Sequence, residues 1–554
     1  MTRHRFWRLL AGLLAIGLLT AACGSDNKST STNTTVEGKS GGTLVDLQNF
    51  ASGEPDHIDP GLAGVLQGAQ IGQLLYDGLT EFDFTDPASP ELKGQVASKW
   101  TTDDDGKTWV FTIKEGQEFS DGTPVLPSSF VRGWNRVVQK AFASEIAYLF
   151  DPIEGSADVA DGKATELSGV KADDTAMTLT VTLTDAFADF PAVVSHPVFS
   201  PMPEAVDALS DQTQWEQGVM IGNGPFVMKS AWAHEREIDL VRNDKWNGGI
   251  YGEGTLAKLD GITFKISKDL DSAYADFEAG NGDTGYIPSG RFAEAVAKYP
   301  HATDATLGIY QFYINQESQL GGEKNLKLRQ AIAMAVDRDS INDTVYDGTR
   351  VVATGMTPPG VPGYKKNLCG SLCTYDKAGA TKLVDEWKAA GGKLDHPIKI
   401  NFNTGSGHED VAAIVQQNLT DIGLESELAG GDPTTYFSDM RKGACEFCRG
   451  GWIWDYPVYD NAAYALLDSA SIDGDNLSRL NNATVDSDIA KARTTVDNEA
   501  RFKLYQDAEK IALEQVAVVP FNWYTGQIVY NDKVGDFVQT PLQFVQYERV
   551  TLAG

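Results

Sequence analysis

The residues best placed for chemistry lie in one stretch, Arg449–Asn461, which reads RGGWIWDYPVYDN. Asp455 stands among Trp452, Trp454, Tyr456 and Tyr459, with Arg449 upstream. Rings around a single acid suit a ligand with an apolar body and a cationic end: the rings supply stiff contact area and the acid a charge-assisted hydrogen bond. Gly450 and Gly451 would let a backbone approach whatever binds. The competing reading is an aromatic strand end buried in a core, with Asp455 capping a turn before Pro457.

No enzyme signature stands elsewhere. Gly280–Gly285 matches GxGxxG but follows a helical segment, whereas a dinucleotide fingerprint follows a strand and opens a helix. Gly38-Lys39-Ser40 ends like a phosphate loop, but Asn33 stands where its first glycine is required. The seven histidines are scattered without paired metal-ligand spacing, and no GxSxG elbow occurs. Neither a cofactor nor a metal is expected.

The elements that must position Asp455 alternate between strand and helix. Strands are predicted at Gly42–Gln48, Thr108–Lys114, Met177–Leu183, Ile238–Val241, Ile262–Ile266, Ile398–Phe402, Glu425–Leu428 and Val516–Trp523. Helices are predicted over Gln67–Tyr76, Ser128–Gln139, Leu270–Ala279, Leu326–Thr344, Val411–Ile422 and Arg501–Leu513. The run from Ile398 to Leu428 implies a crossover and a local parallel pair.

The N-terminus reads as an address. Arg3, Arg5 and Arg8 precede an apolar run, Leu9–Leu19, shorter than the about 20 residues of a membrane span. Leu19-Thr20-Ala21-Ala22 before Cys23 resembles a bacterial lipobox, with Thr20 where leucine is commonest, so Cys23 is expected to carry lipid. The Ser/Thr/Asn/Gly-rich segment that follows suits a flexible tether. Roughly 510 residues then remain, about three domains' worth. A net charge of −31 argues against nucleic acid and against charge-driven adhesion to anionic lipid.

Beyond Cys23, four cysteines remain: Cys369, Cys373, Cys445 and Cys448. An even count in an exported chain suggests disulfides, with three pairings possible. Close spacing favours Cys369 with Cys373 and Cys445 with Cys448; a four-cysteine zinc site is the rival. A bond at Cys445–Cys448 would stiffen the approach to Arg449.

With these features in hand, the chain resembles the family 5 extracellular solute-binding proteins, the peptide- and nickel-binding class of ABC importers. The resemblance is carried by LYDGLTEFD (Leu75–Asp83), ASKWTTDDDGKTWVFTIKEGQEFSDGTPV (Ala97–Val125), GNGPF (Gly222–Phe226), LRQAIAMAVDRDSI (Leu328–Ile341) and RGGWIWDYP (Arg449–Pro457). It implies an α/β, two-lobed periplasmic-binding-protein-like clamp with an extra inserted domain (cluster C type). The expected organisation is a signal peptide at 1–22 and a lipidated tether at 23–41. Lobe I is expected at 42–80, 196–306 and 520–554, the inserted domain at 81–195 and lobe II at 307–519.

The resemblance further implies that Asp455 pairs with a peptide's α-amino group, that Arg449 contacts a carboxylate and that Trp452 walls the pocket. Trp454 is a weaker candidate, since core packing suits it as well, and Tyr313 and Asn315 are candidates from their place near the hinge. Peptide binders of the family often carry a tyrosine where this chain has Glu145, a few residues before Tyr148. The expected function is capture of peptides for an ABC permease by a monomer held by lipid at the outer face of the bacterial cytoplasmic membrane. The alternatives are the same clamp holding an oligosaccharide, a metal chelate or another small solute, and an enzyme built on the clamp.

Overall fold

The computed structural model describes residues 40–553, apart from 88–89, 103–105, 289, 405–406 and 433–434. The signal segment, Cys23 and the tether as far as Lys39 lie outside the described residues; at the end of the expected tether Gly41 N–H already donates to Lys258 O at 2.7 Å. Among those described, no helix is long and apolar enough to cross a membrane.

The fold is a two-lobed α/β clamp. Lobe I is assembled from distant parts of the chain. Thr43–Asp46 pairs parallel with Gly261–Lys265, and Glu237–Arg242 and Phe226–Met228 continue that sheet antiparallel. Ile528–Tyr530 lies between Thr284–Tyr286 and His301–Ala302 in a second, three-stranded sheet. Leu44, Phe226, Ile262, Phe264 and Tyr547 share one core, which joins the chain's beginning, middle and end.

The inserted domain is an antiparallel sheet ordered Ala97–Thr101, Thr108–Ile113, Thr178–Thr182 and Val170–Asp173. Trp109, Phe111 and Ile113 alternate inward, as a half-buried strand requires. The helix Pro127–Val138 covers them with Phe130 and Trp134, and the Trp134 indole donates to Phe199 O at 2.8 Å.

Lobe II is built on six strands in the order Val351–Val352, Val518–Thr525, Ala305–Ile314, Phe447–Ile453, Ile398–Asn403 and Ser426–Gly431. Ala305–Ile314 is buried along almost its whole length because both faces are covered. Leu307, Ile309 and Tyr313 enter one core, and Tyr310, Phe312 and Ile314 enter the other. Ile398–Asn403 and Ser426–Gly431 pair parallel across the helix His408–Asp421. The chain passes between lobes twice, side by side, on strands that pair Ala305 with Thr525.

One expected helix is two. Leu326–Ala335 stops at Val336, whose backbone is extended, and Arg338–Val345 begins afresh. Asp337 caps the second helix by accepting from Ser340 N at 3.0 Å. The buried Arg338 donates to the carbonyl oxygens of Ala333 and Val336, so the break leaves these groups paired. Apolar periodicity alone does not register such a cap, because the stripe continues through it.

Candidate functional site

The site strand, Phe447–Ile453, pairs antiparallel with Ala305–Ile314, which sets Arg449 opposite Phe312 and Trp452 opposite Ile309. Its two glycines answer to the protein's own interior rather than to a ligand. A Cβ on Gly450 would stand 2.3 Å from Tyr313 Cε2, and one on Gly451 2.5 Å from Ile309 O. The sequence reading of these glycines as room for a ligand is corrected accordingly.

Past the strand's end the chain turns at Trp454 and Asp455. Trp454 is 3% exposed and belongs to the lobe II core. Asp455 is half-buried and sits at the end of a polar relay. The Trp452 indole donates to Asn461 Oδ1 at 2.7 Å, and Asn461 Nδ2 donates to Asp455 Oδ2 at 3.0 Å. The exposed Tyr148, carried by the inserted domain, stands near enough for its hydroxyl to influence the carboxylate. Burial raises the Asp455 pKa above the ordinary carboxylate value, and the Asn461 hydrogen bond and the Tyr148 hydroxyl oppose that rise. Burial, together with Asp455 itself, pushes the Tyr148 hydroxyl up to about 12, so it remains a donor.

A second group of side chains surrounds Tyr310. The Arg449 guanidinium lies 5.0 Å from that ring and 5.8 Å from Phe437, with Nη1 donating to Asn403 Oδ1 at 3.2 Å. Its Nε is buried without a partner. Arg350 stacks on Tyr346 at 3.5 Å and on Tyr524 at 4.6 Å, lies 5.4 Å from Tyr310, and donates to Asn522 Oδ1 at 3.1 Å. His408 Nδ1 is 3.2 Å from the Tyr310 hydroxyl. Burial, then Arg449 and Arg350, lowers the His408 pKa to about 4, so the ring is neutral at pH 7. Among the described residues the two arginines meet aromatic rings and neutral amides and form no ion pair with a carboxylate. Two guanidinium groups without an internal counter-ion suit an anionic group arriving from outside.

Tyr313 and Asn315, expected near the cleft, are placed inside lobe II. Tyr313 is 1% exposed and its hydroxyl accepts from Gln311 Nε2 at 2.8 Å; Asn315 is 4% exposed and donates to Cys445 O at 2.9 Å. Cys445 and Cys448 are neighbours at the start of the site strand, with Cα atoms 5.2 Å apart. Cys369 and Cys373 are neighbours at 5.7 Å beside Leu513. The four cysteines thus lie in two separate pairs. Sequence reasoning missed Arg350, His408, Asn461 and the hydroxyl of Tyr148. Only the last two carried a signal: Asn461 closes the aromatic stretch, and Tyr148 is an aromatic residue beside the position held by exposed Glu145.

Residues 91–474 match the family model for the middle region of bacterial extracellular solute-binding proteins, family 5. The chain is similar to "Dipeptide-binding protein DppE" of Bacillus subtilis, 26% identical over 551 residues and 96% of each chain. It is similar to "Probable deoxycholate-binding periplasmic protein YgiS" of Escherichia coli, 27% identical over 499 residues, which are 89% of this chain and 90% of the relative. Among solved structures it resembles the "Unliganded Open Form" of the periplasmic murein tripeptide-binding protein MppA, with a TM-score of 0.80 and 24% identity. That match covers 94% of this chain and 99% of the other.

Proposed function

The chain belongs to the family 5 bacterial extracellular solute-binding proteins, and on that premise we propose that it captures short peptides between its lobes and delivers them to an ABC permease. The observation that carries the reading is the pairing of opposite charges on one strand and its continuation. Arg449, with Arg350 beyond Tyr310, offers an anion site; Asp455, six residues on, offers a cation site. A free peptide is an ammonium and a carboxylate joined by an extended backbone, and the site strand's end lies between the two charges. Asp455 takes the ammonium, Arg449 and Arg350 take the carboxylate, and half-buried Trp452 walls the space between. Trp454, Tyr313 and Asn315 support this surface from the core.

The domain limits are those expected from the sequence (lobe I at 42–80, 196–306 and 520–554, the inserted domain at 81–195, lobe II at 307–519), with the two lobe boundaries moved to the strand ends at 305 and 525, because Ala305–Ile314 and Val518–Thr525 run whole in the lobe II sheet. In this reading Cys23 carries the lipid, each neighbouring cysteine pair forms a disulfide, and the body is a monomer at the outer face of the membrane. The relatives reported above are named as binding proteins, which supports a receptor rather than an enzyme.

One observation favours a second cargo. Two arginines that meet no carboxylate among the described residues exceed what one peptide carboxylate requires, so an anionic non-peptide solute would fill that end and leave Asp455 unused. The test is native mass spectrometry of the purified body from Gly24 onward, with release and identification of what co-purifies. A ladder of peptide masses is expected; a single non-peptide anion would replace the peptide reading with the second one.

A further inference from the structure

The two strands linking the lobes are not the only attachment between them. The inserted domain reaches lobe II through Phe187, Ala188 and Asp189. Phe187 is anchored in its own domain: its N–H donates to Gly106 O at 3.0 Å, its carbonyl accepts from the Trp109 indole at 3.3 Å, and its ring lies in that domain's core. The next two residues face the other way. Ala188 N–H donates to Arg493 O of lobe II at 2.7 Å, and Asp189 Oδ1 lies 3.0 Å from Arg501 Nε.

The ion pair is buried, with side-chain exposures of 5% for Asp189 and 8% for Arg501. Arg501 is held rigidly in lobe II by Thr495 O, Val496 O and Asn498 Oδ1, at 2.7–3.0 Å. The Arg493 guanidinium closes the corner, 5.0 Å from the Phe187 ring. Nearby, Phe82, Phe84 and Ala192 pack on Val458 of lobe II. A groove of about 830 Å³ runs beside the contact, between Trp100 and Trp109 on one bank and Tyr364 and Phe502 on the other. Besides the linking strands and the packing on Val458 and Tyr456, a short segment with both ends fixed joins the two bodies, and solvent reaches its flank.

We propose that Phe187–Asp189 is a latch that holds the inserted domain on lobe II without ligand and so limits how far the empty clamp opens. Rotation about the Ala305 and Thr525 crossing moves lobe II relative to everything outside it. Opening gives up this ion pair together with the Ala188–Arg493 hydrogen bond, whereas removing the carboxylate leaves the Arg501 guanidinium buried and unpaired in the docked state and so favours release. The latch makes no use of Asp455 or Arg449, so it operates whatever the cargo is.

The test is single-molecule energy transfer on the ligand-free body, with dyes attached by non-cysteine chemistry at exposed Asp158 and Lys382. The native protein is expected to show one narrow distance. Asp189→Ala and the isosteric Asp189→Asn should both move the population to longer distances, lowering the docked-to-open ratio about 100-fold. Hydrogen exchange run alongside separates release from misfolding. The Ala188 amide should lose protection while the Val110 and Val181 amides of the sheet keep theirs. Unchanged distances in Asp189→Asn with an intact sheet would overturn the latch, and so would longer distances with the Ala188 amide still protected.

Discussion

Asp455→Asn isolates the charge of the proposed ammonium site while keeping its shape. In the new side chain the amide oxygen takes over the bond from Asn461 Nδ2, now 3.0 Å from Asp455 Oδ2. Its NH₂ lies on the half-exposed side of the residue, toward exposed Tyr148 and solvent, so no polar group is orphaned and the fold should hold. What disappears is the attraction of a half-buried carboxylate for an ammonium. Hydrogen bonds to charged groups contribute about 1.5–3 kcal/mol, or roughly 10- to 150-fold in affinity. The assay is titration calorimetry with trialanine and N-acetyl-trialanine on both proteins, which closes a thermodynamic cycle. Acetylation should cost the native protein that full factor and cost Asp455→Asn less than about threefold, a coupling of about 2 kcal/mol. An equal acetylation penalty in both proteins would remove Asp455 from the ligand's amine and refute the reasoning.

Two further outcomes follow from the same geometry. Because burial raises the Asp455 pKa, its neutral form gains ground above the ordinary carboxylate value of 3.8. Ammonium binding needs the ionised form, so affinity should be complete above the raised pKa and fall by up to tenfold per pH unit below it. Asp455→Asn should be flat over the same range; a native profile equally flat down to pH 4 would contradict this. Gly450→Ala would put a Cβ 2.3 Å from a ring carbon of fully buried Tyr313, so urea midpoints should report a loss of about 1–3 kcal/mol. Gly218→Ala, whose Cβ would meet nothing nearer than 3.9 Å, is the control and should be neutral.

The strands and helices whose apolar residues recur at a fixed period were legible. Thr108–Ile113 and His408–Asp421 announce themselves because their burial follows one face. The split at Val336 was not legible, since a buried arginine and an aspartate cap interrupt the helix without interrupting the apolar stripe. At the site, Asp455, Arg449 and Trp452 share one short stretch, so proximity in the chain reveals their proximity in space. Arg350 and His408 stand 99 and 41 residues before Arg449 and meet it only through the Tyr310 ring, which no local pattern encodes. Tyr313 and Asn315 looked accessible because aromatic and amide residues suit a cleft. A strand covered on both faces turns such residues inward, and sequence does not say how many faces are covered.

The strand Ile528–Tyr530 lies in the middle of its sheet, with Thr284–Tyr286 on one side and His301–Ala302 on the other. Tyr547 likewise donates its hydroxyl to fully buried Asp46 at 2.7 Å. A chain leaving the ribosome or a translocation pore N-terminus first therefore cannot complete the lobe it begins with. Thr284–Tyr286 and His301–Ala302 wait with a vacancy between them, and Asp46 waits without its phenol, while the six strands of the lobe II sheet, the last of them Val518–Thr525, all emerge before that segment. The late arrival of residues 526–550 then welds the first-made lobe shut. Lobe II is thus the kinetically independent body and lobe I the dependent one, the reverse of their order in the chain. For as long as the closing segment is delayed, the early strands expose unpaired edges, which are the surfaces most prone to wrong pairing.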